Sequence, residues 1–506
     1  MATRIVRSVA QQAARRAARG AVKQATRAVR GALGLAGERM SKVDTAWLRM
    51  DSERNLMMII GVWTLRPRID YEALCRRVEE RLLKYPRFRQ HVVEDATGAS
   101  WVDTPGLDVR QLVVREKLPR GRAGGEQAAL QARVGQLAMQ PLDRQLPLWR
   151  FHLVEDFDGG SALAVRIHHC IADGIALISV VLSLVDGGAP PPQRRARGPA
   201  PDGGHWIAES LLKPFTDLSV KAFDAAGAGA ARSLHLLDDP RAGLEGSLEL
   251  ARLAYQVAGD SAALLLMPDD SKTLLKGQPE GRKRVAWCAP LPLDEIKAVG
   301  KALNCSINDV LLSCVSGAIG EYLRGQGDDP AGKEIRAMVP VNLRPMEQAW
   351  KLGNRFGMVP LVLPIGIENP IERIYEVRRR MEALKGSTQP LLAFAVLTVA
   401  GLLVKPAQDL LLGLFSDKTT AVITNVPGPR EKLRFLGATL EQCMFWVPQS
   451  GNIGLGVSIL SYGGNVQFGV IADAALCPQP QKIIDAFAPE FAKLSWLTLM
   501  LPWGDG

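Results

Sequence analysis

The segment Ala162–Val185, ALAVRIHHCIADGIALISVVLSLV, constrains the fold more than any other stretch of this chain. ALAVRIHH reads as a strand, CIA as a short loop, and IALISVVLSLV after Asp173-Gly174 has the length and periodicity of a buried helix. A strand feeding a helix through so tight a turn is a unit of mixed α/β architecture. The unit also holds two of the chain's six histidines side by side. Neighbouring side chains on a strand point to opposite faces, so His168 and His169 cannot both enter one cavity. One can act as a base and the other must be structural. Gly174 permits close backbone approach, and Asp173 can fix an imidazole tautomer or pair with a nearby cation.

The same alternation extends along the chain. Before the pair come a strand-like MMIIGVWTL, a helix over Tyr71 to Lys84, a strand RFRQHVVE, a helix near Gln127 to Ala138 and a strand WRFHLVE. The stretch DGGAPPPQRRARGPAPDGG, Asp186 to Gly204, reads as an exposed linker, and residues 205–267 as a helical connector. Alternation resumes with RVAWCAPL, helices over Asp294–Leu303 and Ile307–Tyr322, and strands near 336–341, 358–363, 420–424, 453–462 and 465–472. At 506 residues the chain is long enough for two cores. The expected division is a basic extension over 1–39, an α/β subdomain over 40–185, a linker and connector over 186–275, a second α/β subdomain over 276–490 and a tail over 491–506.

An imidazole suits removal of a proton from a hydroxyl, amine or thiol as it attacks a carbonyl. A covalent route needs a nucleophile, and the chain has no G-x-S-x-G elbow. Cys170, next along the strand, would face away from His169, which disfavours a Cys–His dyad. Metal binding is disfavoured because consecutive residues seldom supply converging ligands and no further cluster completes a shell. Seven scattered cysteines without a CxxC pair suit a reducing cytosol.

The net charge of +10 does not signal a nucleic-acid partner. Residues 1–30 hold eight Lys/Arg and no acid, which leaves 54 basic against 52 acidic residues beyond them. The body is nearly neutral, whereas a nucleic-acid reader carries its basic stripe on the folded domain. If helical, the extension aligns Arg15, Arg19, Lys23 and Arg27 on one side against alanine, a face that could adhere to anionic lipid or remain a solvated tail. Arg15-Arg16 has no apolar region behind it, which argues against export. The apolar run Leu391–Val404 has 14 residues, short of the ~20 a spanning helix needs. With LLLGLF at Leu410–Phe415, it suits a buried or interfacial helix.

HHCIADG matches the HHxxxDG signature of CoA-dependent acyltransferases of the chloramphenicol acetyltransferase and condensation-domain superfamily. More narrowly, the chain resembles the bacterial wax ester synthase/diacylglycerol acyltransferase family. The likeness runs in order from about Ser41 to Pro489 through SKVDTAWLRMDS (Ser41–Ser52), Pro147-Leu148-Trp149, Asn308-Asp309 in SINDVLL, VPVNLRP (Val339–Pro345), LGNRFG (Leu352–Gly357) and TNVPGP (Thr424–Pro429). The basic extension lies outside it.

The resemblance implies two chloramphenicol-acetyltransferase-like α/β subdomains around a central substrate tunnel. It implies His169 as general base, with His168 and Asp173 supporting. Asn308 becomes a candidate oxyanion donor, although Ser306-Ile-Asn-Asp309 also has the pattern of a helix cap. Gly174, Pro147, Leu148, Trp149, Asp309 and Asn425 become candidate substrate contacts, against ordinary readings of Trp149 as core and Asn425 as a turn. The implied reaction moves a fatty acyl group from acyl-CoA, as co-substrate, to diacylglycerol or a fatty alcohol, with no bound cofactor or metal. The implied location is cytoplasmic, on the inner membrane face or lipid droplets. A specialised acceptor, or a non-catalytic lipid-binding role, is the alternative.

Overall fold

The computed structural model describes residues 37–95, 98–119, 125–188, 268–343, 352–384 and 416–500, with Gln408 and Gly413. The helical connector over 205–267 and the apolar runs Leu391–Val404 and Leu410–Phe415 lie outside the described residues, apart from Gly413.

In chain order, the first half comprises β1 (Glu38–Arg39), α1 (Lys42–Arg49), β2 (Met58–Arg66), α2 (Tyr71–Arg81), β3 (Gln90–Asp95), β4 (Gly98–Asp103), β5 (Val113–Glu116), α3 (Gly125–Ala138), β6 (Trp149–Phe157), β7 (Gly160–His168) and α4 (Gly174–Leu184). The second comprises β8 (Lys283–Trp287), β9 (Leu291–Pro292), α5 (Leu293–Ala302), α6 (Ile307–Gly325), β10 (Ile335–Asn342), β11 (Phe356–Leu363), α7 (Pro370–Leu384), β12 (Ala421–Pro427), β13 (Arg434–Phe435), β14 (Ala438–Trp446), β15 (Leu455–Tyr462), β16 (Asn465–Asp473) and α8 (Gln481–Leu499).

Two large mixed sheets result. One runs β13-β14-β2-β7-β6-β5, the other β11-β10-β12-β15-β16-β8 with β9 on β16. Strand β7 is central and buried on both sides. Its residues alternate as a period of two requires: Leu163 and Ile167 enter the first-half core, while Ala162 and Ala164 enter a second cluster with Trp287, Trp446 and Ile471. That second cluster packs the halves together.

Strands β13 and β14 depart from the expected linear division. They come from the second half of the sequence yet join the first sheet, where β14 pairs β2 with Thr439 opposite Arg66 and Trp446 opposite Ile60, and β13 pairs β14. Strand β2 otherwise offers an unpaired edge to solvent. The borrowed strand satisfies its backbone groups and brings Met444 and Trp446 into the shared cluster.

The expected boundaries also move elsewhere. Arg39 pairs with Asp95 at 2.6 Å and β1 pairs β4, so the folded region begins before Met40. Leu275 is buried in the second core and Asp270 accepts the Arg336 N–H, so residues 268–275 belong to the second half rather than to a connector. Residues 491–499 are the end of α8, with Phe491 and Leu494 in the core, rather than a tail. Among the described residues no single helix is long and apolar enough to cross a membrane.

Candidate active site

The turn after β7 begins at His169, whose backbone still follows the β2–β7 register. The strand ends at His168, and the His169 N–H donates to the Met57 carbonyl at 2.7 Å. Asp173 caps α4, its Oδ1 accepting the Ala176 N–H at 3.0 Å. Its Oδ2 accepts the Arg355 N–H at 2.9 Å, so the same carboxylate also holds the LGNRFG segment from the other half.

That segment docks on the turn as a one-residue parallel bridge, Ala172 opposite Gly353. The Gly353 N–H donates to the Ile171 carbonyl, and the Asp173 N–H to the Gly353 carbonyl. Gly353 has φ of +105°, a conformation that strains any side chain. The bend delivers Asn354 beside His169.

Asn354 determines which imidazole nitrogen is free. Its Nδ2 donates to the His169 carbonyl at 2.7 Å and to Asp44 Oδ1 at 2.8 Å, so both amide hydrogens are used. Its Oδ1 must therefore accept, and it lies 2.8 Å from His169 Nδ1. The proton is thus assigned to Nδ1, and Nε2 keeps its lone pair with no hydrogen-bond partner among the described residues. Asp44 accepts the Asn354 N–H as well, at 2.9 Å. Burial pushes the Asp44 carboxyl above its ordinary value, against the lowering effect of hydrogen bonds from Ser41 and Asn354.

Trp47 stacks on the imidazole with ring centres 4.2 Å apart and planes 14° apart, and Phe356 lies 5.5 Å away. Burial drives the His169 pKa down to about 4, outweighing the hydrogen bond to Asn354. The ring is therefore neutral at pH 7 and able to accept a proton.

His168 has a different task. Its Nδ1 accepts the Cys170 N–H at 3.2 Å, which leaves Nε2–H to donate to Asp51 Oδ1 at 3.2 Å. Asp51 also accepts the Met57 N–H at 2.7 Å. Burial alone would raise this carboxyl, but His168, Met57 and Arg144 together hold it below the carboxylate range. His168 thus ties the strand end to the residues following α1. Cys170 is buried in the core, where burial raises its thiol well above the ordinary value.

His169 lines a cleft between the halves that encloses about 890 Å³ of space, mouth included. Trp47, Asp173, Gly174 and Ile178 line it from the first half, Pro340, Phe356, Met358, Val422 and Asn425 from the second, and Phe445 from the borrowed strand. The walls are mainly apolar and the polar groups few, as in a site for an aliphatic chain. Among the described residues no group of three His, Cys, Asp or Glu could hold a metal ion.

Of the residues singled out from sequence, the structure brings His169, Asp173, Gly174 and Asn425 to the cleft. Asn308 does not line it. It is exposed at the start of α6, and its Oδ1 accepts from Asn425 Nδ2 at 2.9 Å, so it buttresses a cleft residue. Asp309 is a correction: it is buried as half of a capping box, its Oδ2 accepting the Ser306 N–H, and does not face substrate.

Pro147, Leu148 and Trp149 are likewise corrected. They are buried beside β7 where its neighbour β6 begins, with Leu148 accepting the His168 N–H and Trp149 Nε1 donating to the Phe88 carbonyl at 2.8 Å. They support the histidine strand from its edge within the same sheet. Sequence reasoning did not single out Asp44, Trp47, Asp51, Asn354 and Phe356 individually. All lie in the motifs SKVDTAWLRMDS and LGNRFG, which were the available signal.

The chain also matches known proteins. Residues 40–311 match the wax ester synthase/diacylglycerol acyltransferase catalytic domain, and residues 352–495 match the WS/DGAT C-terminal domain. The probable diacyglycerol O-acyltransferase tgs1 of Mycobacterium tuberculosis is 27% identical over 447 residues, covering 86% of this chain and 90% of that protein. The putative diacyglycerol O-acyltransferase Rv3087 of the same organism is 26% identical over 484 residues, covering 90% and 96%.

Among solved structures, the wax ester synthase/diacylglycerol acyltransferase from Marinobacter aquaeolei VT8 superposes with a TM-score of 0.60 at 20% identity, covering 91% of this chain and all of that one. A starter condensation domain of rhizomide synthetase RzmA, solved with C8-CoA and Leu-SNAC, gives 0.53 at 15% identity, covering 93% and 96%. The fold is thus the two-halved, chloramphenicol-acetyltransferase-like one, and the family model together with the curated relatives makes the protein an acyltransferase. Within that class, the chain belongs to the wax ester synthase/diacylglycerol acyltransferase family.

Proposed function

We propose that this acyltransferase moves a fatty acyl group from acyl-CoA to the hydroxyl of diacylglycerol or a long-chain alcohol in one direct step, with His169 as general base. The observation that carries the reading is the Asn354 amide, whose commitments assign the proton to Nδ1 and leave Nε2 unpartnered on a ring that lines an apolar cleft. Nε2 takes the proton of the acceptor hydroxyl as its oxygen attacks the thioester carbonyl. Collapse of the tetrahedral species expels the CoA thiolate, which receives that proton. Asn425, buttressed by Asn308, is the amide suited to stabilise the oxyanion.

His168 and Asp173 act by holding the turn. The likeness to relatives named as diacyglycerol O-acyltransferases favours a glycerolipid acceptor, and the apolar walls accept either alcohol. Because such acceptors reside in membranes or droplets, the enzyme works at the cytoplasmic surface of one or the other. The test is CoA release from palmitoyl-CoA by purified protein offered dioleoylglycerol or hexadecanol separately. Release dependent on an acceptor is expected, and a folded protein that releases none with either contradicts the reading.

A further inference from the structure

Helix α1 presents two side chains to the site from one face. Asp44 and Trp47 are three residues apart and therefore lie on the same side of the helix. Trp47 covers the face of the His169 ring, whereas Asp44 bonds Asn354. Ser41, the N-cap, fixes where Asp44 sits, its Oγ accepting the Asp44 N–H at 3.0 Å. Asp44 is only 6% exposed. A carboxyl so deeply buried carries a desolvation cost, which the positive end of the helix offsets only in part.

What Asp44 does with that position is hold Asn354 at two points. One oxygen, Oδ1, accepts both the backbone N–H of Asn354 at 2.9 Å and its Nδ2 at 2.8 Å, across 310 positions of sequence. The other arm of the same amide, Oδ1 of Asn354, faces His169 Nδ1 at 2.8 Å. Were the amide turned over, its oxygen would face two acceptors, Asp44 Oδ1 and the His169 carbonyl. Its Nδ2 would then donate to the ring at Nδ1, and the imidazole proton would sit on Nε2, where no base is left. Asp44 is one of the two acceptors that exclude this arrangement. Burial pushes its carboxyl above the ordinary value, and a protonated carboxyl still offers a carbonyl oxygen, so the hold on Asn354 needs no charge.

We propose that Asp44 is a positioning residue for the reaction, acting through Asn354 as a hydrogen-bond acceptor and not as a negative charge beside the imidazolium. The inference deepens the proposed function, since it rests on His169 as the base. It also makes that base a product of both halves. Helix α1 of the first half and the LGNRFG segment of the second must meet before the tautomer is set.

The test is a double-mutant cycle with Asp44→Leu, Asn354→Ala and the two combined, beside Asp44→Asn. Asp44→Leu is expected to lower kcat roughly ten- to a hundredfold with KM for acyl-CoA little changed. The combined variant should turn over within about threefold of Asn354→Ala, because both substitutions break one chain of contacts. Asp44→Asn keeps an acceptor carbonyl and should recover all but about threefold of what Asp44→Leu loses. Nitrogen NMR of isotope-labelled histidine reads the ring directly, with the His169 signals assigned by their absence in His169→Ala. The proton should sit on Nδ1 in wild type and in Asp44→Asn, and be shared between the two nitrogens in Asp44→Leu. A folded Asp44→Leu that keeps the Nδ1 proton overturns the proposal. So do losses that multiply in the combined variant, and an Asp44→Asn no faster than Asp44→Leu, which would make the charge the active feature. Should Asp44→Leu melt well below wild type, Asp44→Ala, the best helix former, carries the same comparison. The tautomer is read without turnover, so its outcome stands apart from that of the proposed reaction.

Discussion

The acid limb of the rate profile tests the geometry around His169 in depth. Burial against Trp47 and Phe356 lowers its pKa from 6.5 to about 4. At pH 5.5 an imidazole of pKa 4 is only about 3% protonated, whereas an ordinary one is about 90% protonated. The free enzyme should therefore hold kcat/KM nearly constant from pH 8 down to about 5 and halve it near 4, where an exposed histidine base would have lost about tenfold by pH 5.5.

The same shift enters stability with a definite sign. The folded-state value lies below the unfolded one, so the neutral ring's contribution is fully present above about pH 6.5 and is lost as pH falls through about 4. A shift of that size corresponds to ~3 kcal/mol. His152, also buried and lowered to about 4 mainly by desolvation, shifts stability in the same direction. The assay is kcat/KM against pH with palmitoyl-CoA and hexadecanol, together with urea unfolding at pH 7 and pH 5. An inflection near 6.5, with stability unchanged between those pH values, would refute the reasoning about burial.

Replacing Asn354 by Ala removes the acceptor that selects the Nδ1–H tautomer and should lower kcat by roughly ten- to a hundredfold, with KM for acyl-CoA little changed. Steady-state kinetics of the folded variant checks this. Asp173→Ala loses both the α4 cap and the Arg355 contact, and should cost ~2–3 kcal/mol in urea unfolding besides lowering kcat. Trp149→Phe, by contrast, strands the Phe88 carbonyl and should lower stability by ~1–2 kcal/mol while leaving KM for acceptor unaltered, because Trp149 is core.

The legible parts of this molecule were those written in short-range pattern. The β7–turn–α4 unit follows from alternation, a capping Asp173 and a helical apolar run, all within about two dozen residues. The divergence of the two histidines followed from strand geometry too, although His169 in fact lies just past the strand end. The least legible parts depend on long-range choices. Asn354 reaches His169 across 185 positions, and β14 finds β2 rather than a neighbour in its own half. Periodicity carries no information about which edge a strand will choose. Pro147, Leu148 and Trp149 show the converse: a motif beside the active strand can serve the strand's packing rather than its substrate.

The central claim is that one imidazole, His169, removes the acceptor proton. Its most direct measurement is CoA release by His169→Ala beside wild type, at saturating palmitoyl-CoA and hexadecanol, with circular dichroism to establish the fold. The account predicts a loss of about a thousandfold or more in kcat. Turnover within tenfold of wild type in the folded variant would contradict it.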